Sequence, residues 1–275
     1  MDIEFVKMQI GGSDGIYIDF TDRRAAFKPE NAVRLCNRSF GIGADCVTIM
    51  RTSSRADVKM TAYRNDGSMI PLYADGILCI GKLFAEKKDS LPSNVSVETE
   101  YGVMHIHLSN EGKAVGDATV DLGNPSFRND LSSVVDGGTV LTAAEQRFSA
   151  FDVSLGCRHR VLFCKDVASI DIDRICTELS GIEPTEADCR FVFTETVADN
   201  TFLARAWTKN VGELSADGTS ACCINVAAAQ TGRTARKNEI YTYFKNGTFK
   251  SHWTNSGNIL LTATASEIYR GTVKI

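Results

Sequence analysis

The chain has 275 residues, 43% of them hydrophobic, with 30 basic against 34 acidic side chains and a net charge of -4. That length allows one large domain or two of about 130 residues, and the scattered basic residues form no stripe of the kind that nucleic acid requires. The expected partner is a small molecule, with no nucleic acid and no membrane: no apolar run approaches the roughly 20 residues that span a bilayer, and the start MDIEFVKMQI reads as charged and alternating rather than as a signal peptide, so the expected location is cytoplasmic.

The first elements alternate apolar and polar residues. IEFVKMQI and GIYIDF read as two strands around the Gly-rich turn GGSDG. FKPENAVRLCNRS reads as a helix with Pro29 near its first turn, and CVTIMRTS and DVKMTAYRN return to strand pattern. From Ala74 to Lys88 the apolar positions Ile77, Leu78, Ile80, Leu83 and Phe84 surround a helix with few polar faces, which belongs inside. VSVETEYGVMHIHLSNEG is a strand hairpin, and GDATVDLGNPSF is a strand ending in a turn.

The outline then repeats. RFSAFDVSLG and RHRVLFCKD are strands, IDIDRICTELSG is an amphipathic helix capped by Gly181, and FVFTETV and FLARAWTKN are strands again. Thr219 to Thr231 is a second inner helix, rich in small residues. A hairpin turned at Asn246-Gly247 follows, with NILLTATA and YRGTVKI as closing strands. The expectation is therefore an α+β fold of two halves, each a curved, mostly antiparallel sheet wrapped round one central helix. Residues 1–117, joined by the last strand at 266–275, form the first half and 118–265 the second, with a cleft at which both helix N-termini point.

Nine cysteines are present and none forms a C-x-x-C pair. Most sit in apolar periodic segments, so the reading is buried thiols rather than disulfides or zinc, with no metal site expected.

An Ala-Asp-Gly turn opens each inner helix, at 74–76 and 216–218. Helix N-termini favour anions through their free N–H groups and dipole, so Ala74, Asp75, Gly76, Gly218 and Thr219 could hold a carboxylate. The same residues also suit ordinary caps, Asp75 and Thr219 above all, and the turns alone leave both readings open.

The stretches FVKMQIGGSDGIYID, NRSFGIGADCVTIM, VKMTAYRNDGSMIPLYADGILC, VSLGCRHRV and ARAWTKNVGELSADGTSACC, in that order over nearly the whole chain, resemble the diaminopimelate epimerase family. The resemblance implies that family's fold of two pseudo-symmetric halves and an isomerase of amino-acid metabolism that needs neither pyridoxal phosphate nor any other cofactor. It works with two cysteines, one as thiolate base and one as thiol acid. Here the first of those positions is Tyr73 and the second Asp217, so both carry replacement chemistry. A homodimer is an expectation from the resemblance alone.

By the same resemblance, the asparagines that hold the two amino-acid ends of diaminopimelate become Ser13, Arg64, Cys157 and Asp188, and the family's Glu-Arg pair becomes Thr208-Lys209. His159 and Glu213 remain. Losing nearly all of these groups argues that diaminopimelate is not the substrate. Arg64, Arg158 and Lys209 would suit a more acidic small carboxylate. Cys46 and Cys157 lie near the expected cleft, where packing is the simpler role because neither starts a helix.

A carboxylate at a helix N-terminus is stabilised as the anion, so Asp217 is expected to be a weak base unless an apolar cleft raises its pKa. Tyr73 is a hydrogen-bond donor rather than a base. Together they suit a carbon acid next to a ketone, thioester or conjugated acid, as in enolisation by an aspartate base with a tyrosine in the oxyanion hole. Three functions follow: a proton-transfer isomerase, a lyase or cyclase using the same proton chemistry, and a non-catalytic binding protein or partner subunit. His159 is read first as structural and second as an acid/base group.

Overall fold

The computed structural model describes residues 2–23, 25–112, 114–127, 139–182 and 189–275. The chain divides into two compact units, Met1–Asp121 with Thr262–Ile275, and Leu122–Leu261.

In the first unit, β1 (Asp2–Ile10) and β2 (Ser13–Asp19) form an antiparallel pair, and β2 runs parallel to β3 (Cys46–Arg51). The next pairings alternate: β3 antiparallel to β4 (Val58–Arg64), β4 parallel to β6 (Asn94–Thr99), and β6 antiparallel to β7 (Gly102–Glu111), which pairs with β8 (Ala114–Asp121). The short β5 (Met69–Ile70) folds back on β4, and the C-terminal β19 (Ser266–Lys274) lies antiparallel to β1. Helix α1 (Pro29–Cys36) connects β2 to β3, and α2 (Ala74–Ala85) connects β5 to β6.

Strand β2 is buried on both faces because Ile16 and Ile18 pack with Ala32 and Leu35 of α1, while Tyr17 bonds the Cys79 thiol of α2. Such a strand reads as a continuous apolar run. Helix α1 is shorter than its sequence pattern because Asn37 is already extended and residues 41–44 turn back. The N–H groups of Ile42 and Gly43 donate to the Leu35 carbonyl, and that of Ala44 to Cys36, satisfying the free carbonyls at the helix end. A Cβ at Gly41 would stand 2.2 Å from the Arg34 carbonyl oxygen, so only glycine closes this turn.

The second unit repeats the same order of senses. β11 (Gln146–Leu155) is antiparallel to β12 (Cys157–Phe163), β12 parallel to β13 (Arg190–Ala198), and β13 antiparallel to β14 (Thr201–Thr208). β14 is then parallel to β16 (Glu239–Tyr243), and β16 antiparallel to β17 (Thr248–Trp253). β15 (Gly212–Leu214) folds back on β14 as β5 does on β4. β9 (Ser126–Phe127) and β10 (Thr139–Ala143) flank β11, and β18 (Ile259–Thr264) leads to β19. Helices α3 (Ile172–Ile182) and α4 (Gly218–Gln230) take the places of α1 and α2.

Helix α4 is buried continuously from Gly218 to Ala228, as expected of a helix apolar on all sides. The side-chain N–H of its Asn225 donates to the Ser251 carbonyl at 3.0 Å. Two expectations change. Gly181 does not cap α3, since the helix runs through it to Ile182. β5, β9, β10 and β15 span two to five residues, too short for an alternation to stand out. Among the described residues, no helix is long and apolar enough to cross a membrane.

Candidate functional site

The site in the second unit follows from strand register. Val153 of β11, His159 of β12, Arg190 of β13 and Thr208 of β14 are successive cross-strand partners. Partners in adjacent strands share a face, and on β13 Phe191 and Phe193 pack with the α3 core. Arg190 therefore points the other way, toward α4.

Asp217 is the N-cap of α4, in extended backbone, and accepts from the Ser220 N–H at 3.3 Å. The Ser220 hydroxyl donates to the same Oδ2, and the Thr219 hydroxyl donates to Oδ1 at 2.8 Å. Arg190 Nη1 lies 3.2 Å from Oδ2 and donates to the Thr219 oxygen. The same nitrogen is 3.2 Å from His159 Nε2. On the other side of the ring, His159 Nδ1 is 3.0 Å from the Cys157 carbonyl. A carbonyl can only accept, so Nδ1 carries the hydrogen and Nε2 is the acceptor for Arg190.

His159 is 0% and Asp217 8% exposed, so their charges are settled inside the protein. Burial pushes the Asp217 carboxyl up, but Arg190, His159 and the Ser220 and Thr219 hydroxyls outweigh it and hold it below the usual carboxylate value. Burial and the Arg190 charge depress His159 to about 4, against the opposing pull of Asp217. At neutral pH the cluster is a carboxylate, a guanidinium and a neutral imidazole.

The matching position of the first unit is built differently. Tyr73 is the N-cap of α2 but makes no side-chain cap hydrogen bond. Its half-buried ring packs with Cys46, Ala62 and Ile70 and folds over Gly76, where an added Cβ would stand 2.2 Å from Tyr73 Cδ1. The ring thus covers the start of α2. Burial, then the Cys46 thiol and Asp75, push the phenol well above its ordinary value, so it stays protonated. Ala74, Asp75 and Gly76 are buried in the first turn of α2.

Ser13 is half-buried at the start of β2. Arg64, at the end of β4, donates to the Met69 carbonyl at 3.2 Å within its own hairpin. In the second unit Cys157, His159, Thr208, Asp217, Gly218 and Thr219 come together around Arg190, while Lys209 is exposed in the turn after β14. Arg158 and Arg160 both pair with Asp152, and Glu213 is bound by Arg205 at 2.6 Å. Asp188 lies outside the described residues. Arg190 is the member of this cluster that the sequence reading missed; its signal is a cation on the inner side of a strand buried on both faces.

No protein-family model matches the chain. It is similar over its full length to diaminopimelate epimerase from Leptospira biflexa, 30% identical over 285 residues and covering 100% of both proteins. It is also 30% identical over 270 residues to diaminopimelate epimerase from Bacteroides thetaiotaomicron, covering 98% of this chain and 97% of the other. Its fold is similar to that of a Bacillus anthracis phenazine biosynthesis protein of the PhzF family, with a TM-score of 0.73, 13% identity and full coverage of both chains. A hydroxyproline epimerase from Agrobacterium vitis matches with a TM-score of 0.70 at 12% identity, over 99% of this chain and 91% of that one. Methylitaconate-delta-isomerase matches at 0.64 and 14%, over 99% and 95%. The full-length identity to the curated relatives, and the shared fold, show that the chain belongs to the diaminopimelate epimerase family.

Proposed function

We propose that this protein is a cofactor-independent, isomerase- or epimerase-like enzyme that transfers a proton at an acidified carbon of a small amino or carboxylic acid other than diaminopimelate. The observation that carries this reading is the buried Asp217 carboxylate, paired with Arg190 and set beside His159, at the position where the resemblance puts a reactive cysteine. Its depressed pKa makes it a weak base, and each unit of mismatch with the carbon acid adds about 1.4 kcal/mol to the transfer. An α-proton of an ordinary amino acid is therefore out of reach. A C–H beside a ketone, thioester or conjugated acid fits, with Asp217 taking the proton.

The names hydroxyproline epimerase and methylitaconate-delta-isomerase support an isomerisation of a small acid on this fold. The replacement of the diaminopimelate-holding groups by Ser13, Arg64, Cys157, Thr208 and Lys209 supports a different substrate. An elimination or cyclisation would use the same first step and differ in product connectivity. Two observations favour a second reading, a binding protein or partner subunit: the Tyr73 ring covers the start of α2, and the Asp217 oxygens are both engaged.

Incubation with a pool of small amino, keto and unsaturated acids in D2O, followed by mass spectrometry, tests the proposal. Deuterium incorporation that Asp217→Asn abolishes is the expected result. Absence of exchange and conversion across the pool would sink it in favour of the binding role.

A further inference from the structure

We propose that Asp217 and His159 form a one-proton pair at the start of α4, in which a proton received by the carboxylate comes to rest on His159 Nε2, and that Arg190 is the positioning residue that gives up its bond to Nε2 when that proton arrives. This rests on the proton-transfer reading above.

The geometry is a triangle. Arg190 Nη1 is 3.2 Å from Asp217 Oδ2 and 3.2 Å from His159 Nε2, while the two acceptors are 4.0 Å apart. Nη1 donates to the Thr219 oxygen and to His159 Nε2 and stands in ionic contact with Asp217 Oδ2, so one nitrogen lies against two base atoms that do not touch. Because Nδ1–H is fixed on the Cys157 carbonyl, the lone pair of Nε2 can only face into the triangle. Once Nε2 gains a proton it becomes a donor, the Arg190 bond is lost, and two cations repel. The new N–H then turns to Oδ2, which needs an approach of about 1 Å to reach hydrogen-bond distance.

The route follows from exposure. His159 has no accessible surface, whereas Asp217 retains some, so a substrate proton enters at the carboxylate. The resting place follows from the contacts: Arg190 and the Ser220 and Thr219 hydroxyls stabilise Asp217 as the anion and hold it below its ordinary value, while His159, at about 4, keeps a lone pair on Nε2, so the imidazole is the stronger base of the pair. In the step, the substrate C–H bond breaks, its electron pair stays on the substrate as an enolate, and an O–H bond forms on Asp217. The proton then passes to Nε2. The resting charges of carboxylate, guanidinium and neutral imidazole sum to zero. The proton makes the cluster +1, matching the -1 of the enolate, so the pair holds its proton while that anion is present and returns it when the anion collapses.

Among the described residues, the charged groups that act on His159 are Arg190 from β13 and Asp217 from α4, with the Cys157 backbone of its own strand as hydrogen-bond partner; the Cys223 thiol of α4 faces the same Arg190 and Asp217. Burial, first, and then its neighbours raise the Cys223 thiol, so it stays neutral. Arg158 and Arg160 alternate to the other face of β12, where both pair with Asp152 of β11.

Nitrogen-15 NMR of the imidazoles in the full-length chain tests this, with His159 assigned by His159→Gln. Expected at pH 7 is the Nδ1–H tautomer with an unprotonated Nε2. The His159 midpoint should lie near pH 4, rise in Arg190→Gln, and fall in Asp217→Asn, which keeps a good N-cap and serves if Arg190→Gln does not fold. An Nε2–H tautomer at neutral pH, or a midpoint unmoved by these substitutions, overturns the proposal. Both readings are taken without substrate, so they can fail while solvent exchange persists, and they can hold while exchange is absent.

Discussion

Acid should weaken the second unit before any carboxylate titrates, and His159 sets the size of the effect. Its folded value of about 4 lies below the ordinary 6.5, so between those values the unfolded chain binds a proton that the folded one refuses. Stability then falls as pH drops from 6.5 toward 4 and levels off below, where both states are protonated. The full contribution is about 3 kcal/mol at 1.36 kcal/mol per unit. From pH 7.5 to pH 5 it amounts to about 2 kcal/mol. The contribution of Asp217, whose folded value is depressed below 3.8, is present at higher pH and lost only as pH falls through that lower range. Both tryptophans, Trp207 and Trp253, are buried in the second unit, so tryptophan fluorescence reports on this unit alone. With a urea slope of roughly 2 kcal/mol/M, the midpoint should fall by about 1 M over that interval. His159→Gln, which keeps an acceptor for Arg190 without a titrating ring, should flatten the dependence. Parallel loss in wild type and His159→Gln would refute the assignment.

Gly76→Ala should destabilise the first unit by about 1–3 kcal/mol through overpacking against the Tyr73 ring, because the new Cβ would lie 2.2 Å from Cδ1. In a Tyr73→Ala background the same change should become neutral or stabilising, by helix propensity; equal effects in both backgrounds, followed by circular dichroism, would contradict the packing described. Lys7→Met should lose roughly 3 kcal/mol in denaturant titrations, since Lys7 is buried and bonds both Asp14 at 2.8 Å and the Gly43 carbonyl. A change within 0.5 kcal/mol of wild type, the ordinary range for surface substitutions, would mean that Arg38, 2.9 Å from Asp14, and the Asp45 N–H satisfy that carboxylate without Lys7.

The two inner helices were legible because apolar and small residues run all round them, and β2 because both of its faces are covered. The caps expected from the turns, Asp75 and Thr219, each lie two residues too far along: Tyr73 and Asp217 are the N-caps, and Asp75 and Thr219 sit inside the first turns of α2 and α4; Asp217 was singled out for chemistry only through the resemblance. Arg190 was not legible. Its partners come from strand register, with His159 31 residues away, and no local pattern states which strands will be neighbours. Lys209 and Arg158 illustrate the reverse problem: cations next to the right positions, one exposed and one paired with Asp152 on the other face, because alternation decides in a single residue whether a charge reaches the site.

Thr208 separates a structural role from a functional one at this cluster. Its hydroxyl is buried with no protein partner among the described residues, and its strand register sets it directly beside Arg190. A buried hydroxyl without a partner carries a desolvation penalty of about 1–3 kcal/mol, so if Thr208 serves only packing, Thr208→Val should match or exceed wild-type stability and leave turnover alone. If the hydroxyl meets the substrate beside Arg190, Thr208→Val should be at least as stable yet raise KM by about tenfold, the value of one neutral hydrogen bond, with the pH dependence of His159 unchanged. The fluorescence midpoint and KM measured on the same preparation distinguish the two. A variant that loses more than about 1 kcal/mol of stability while keeping its KM would show that the hydroxyl is already satisfied within the fold and has no part in recognition.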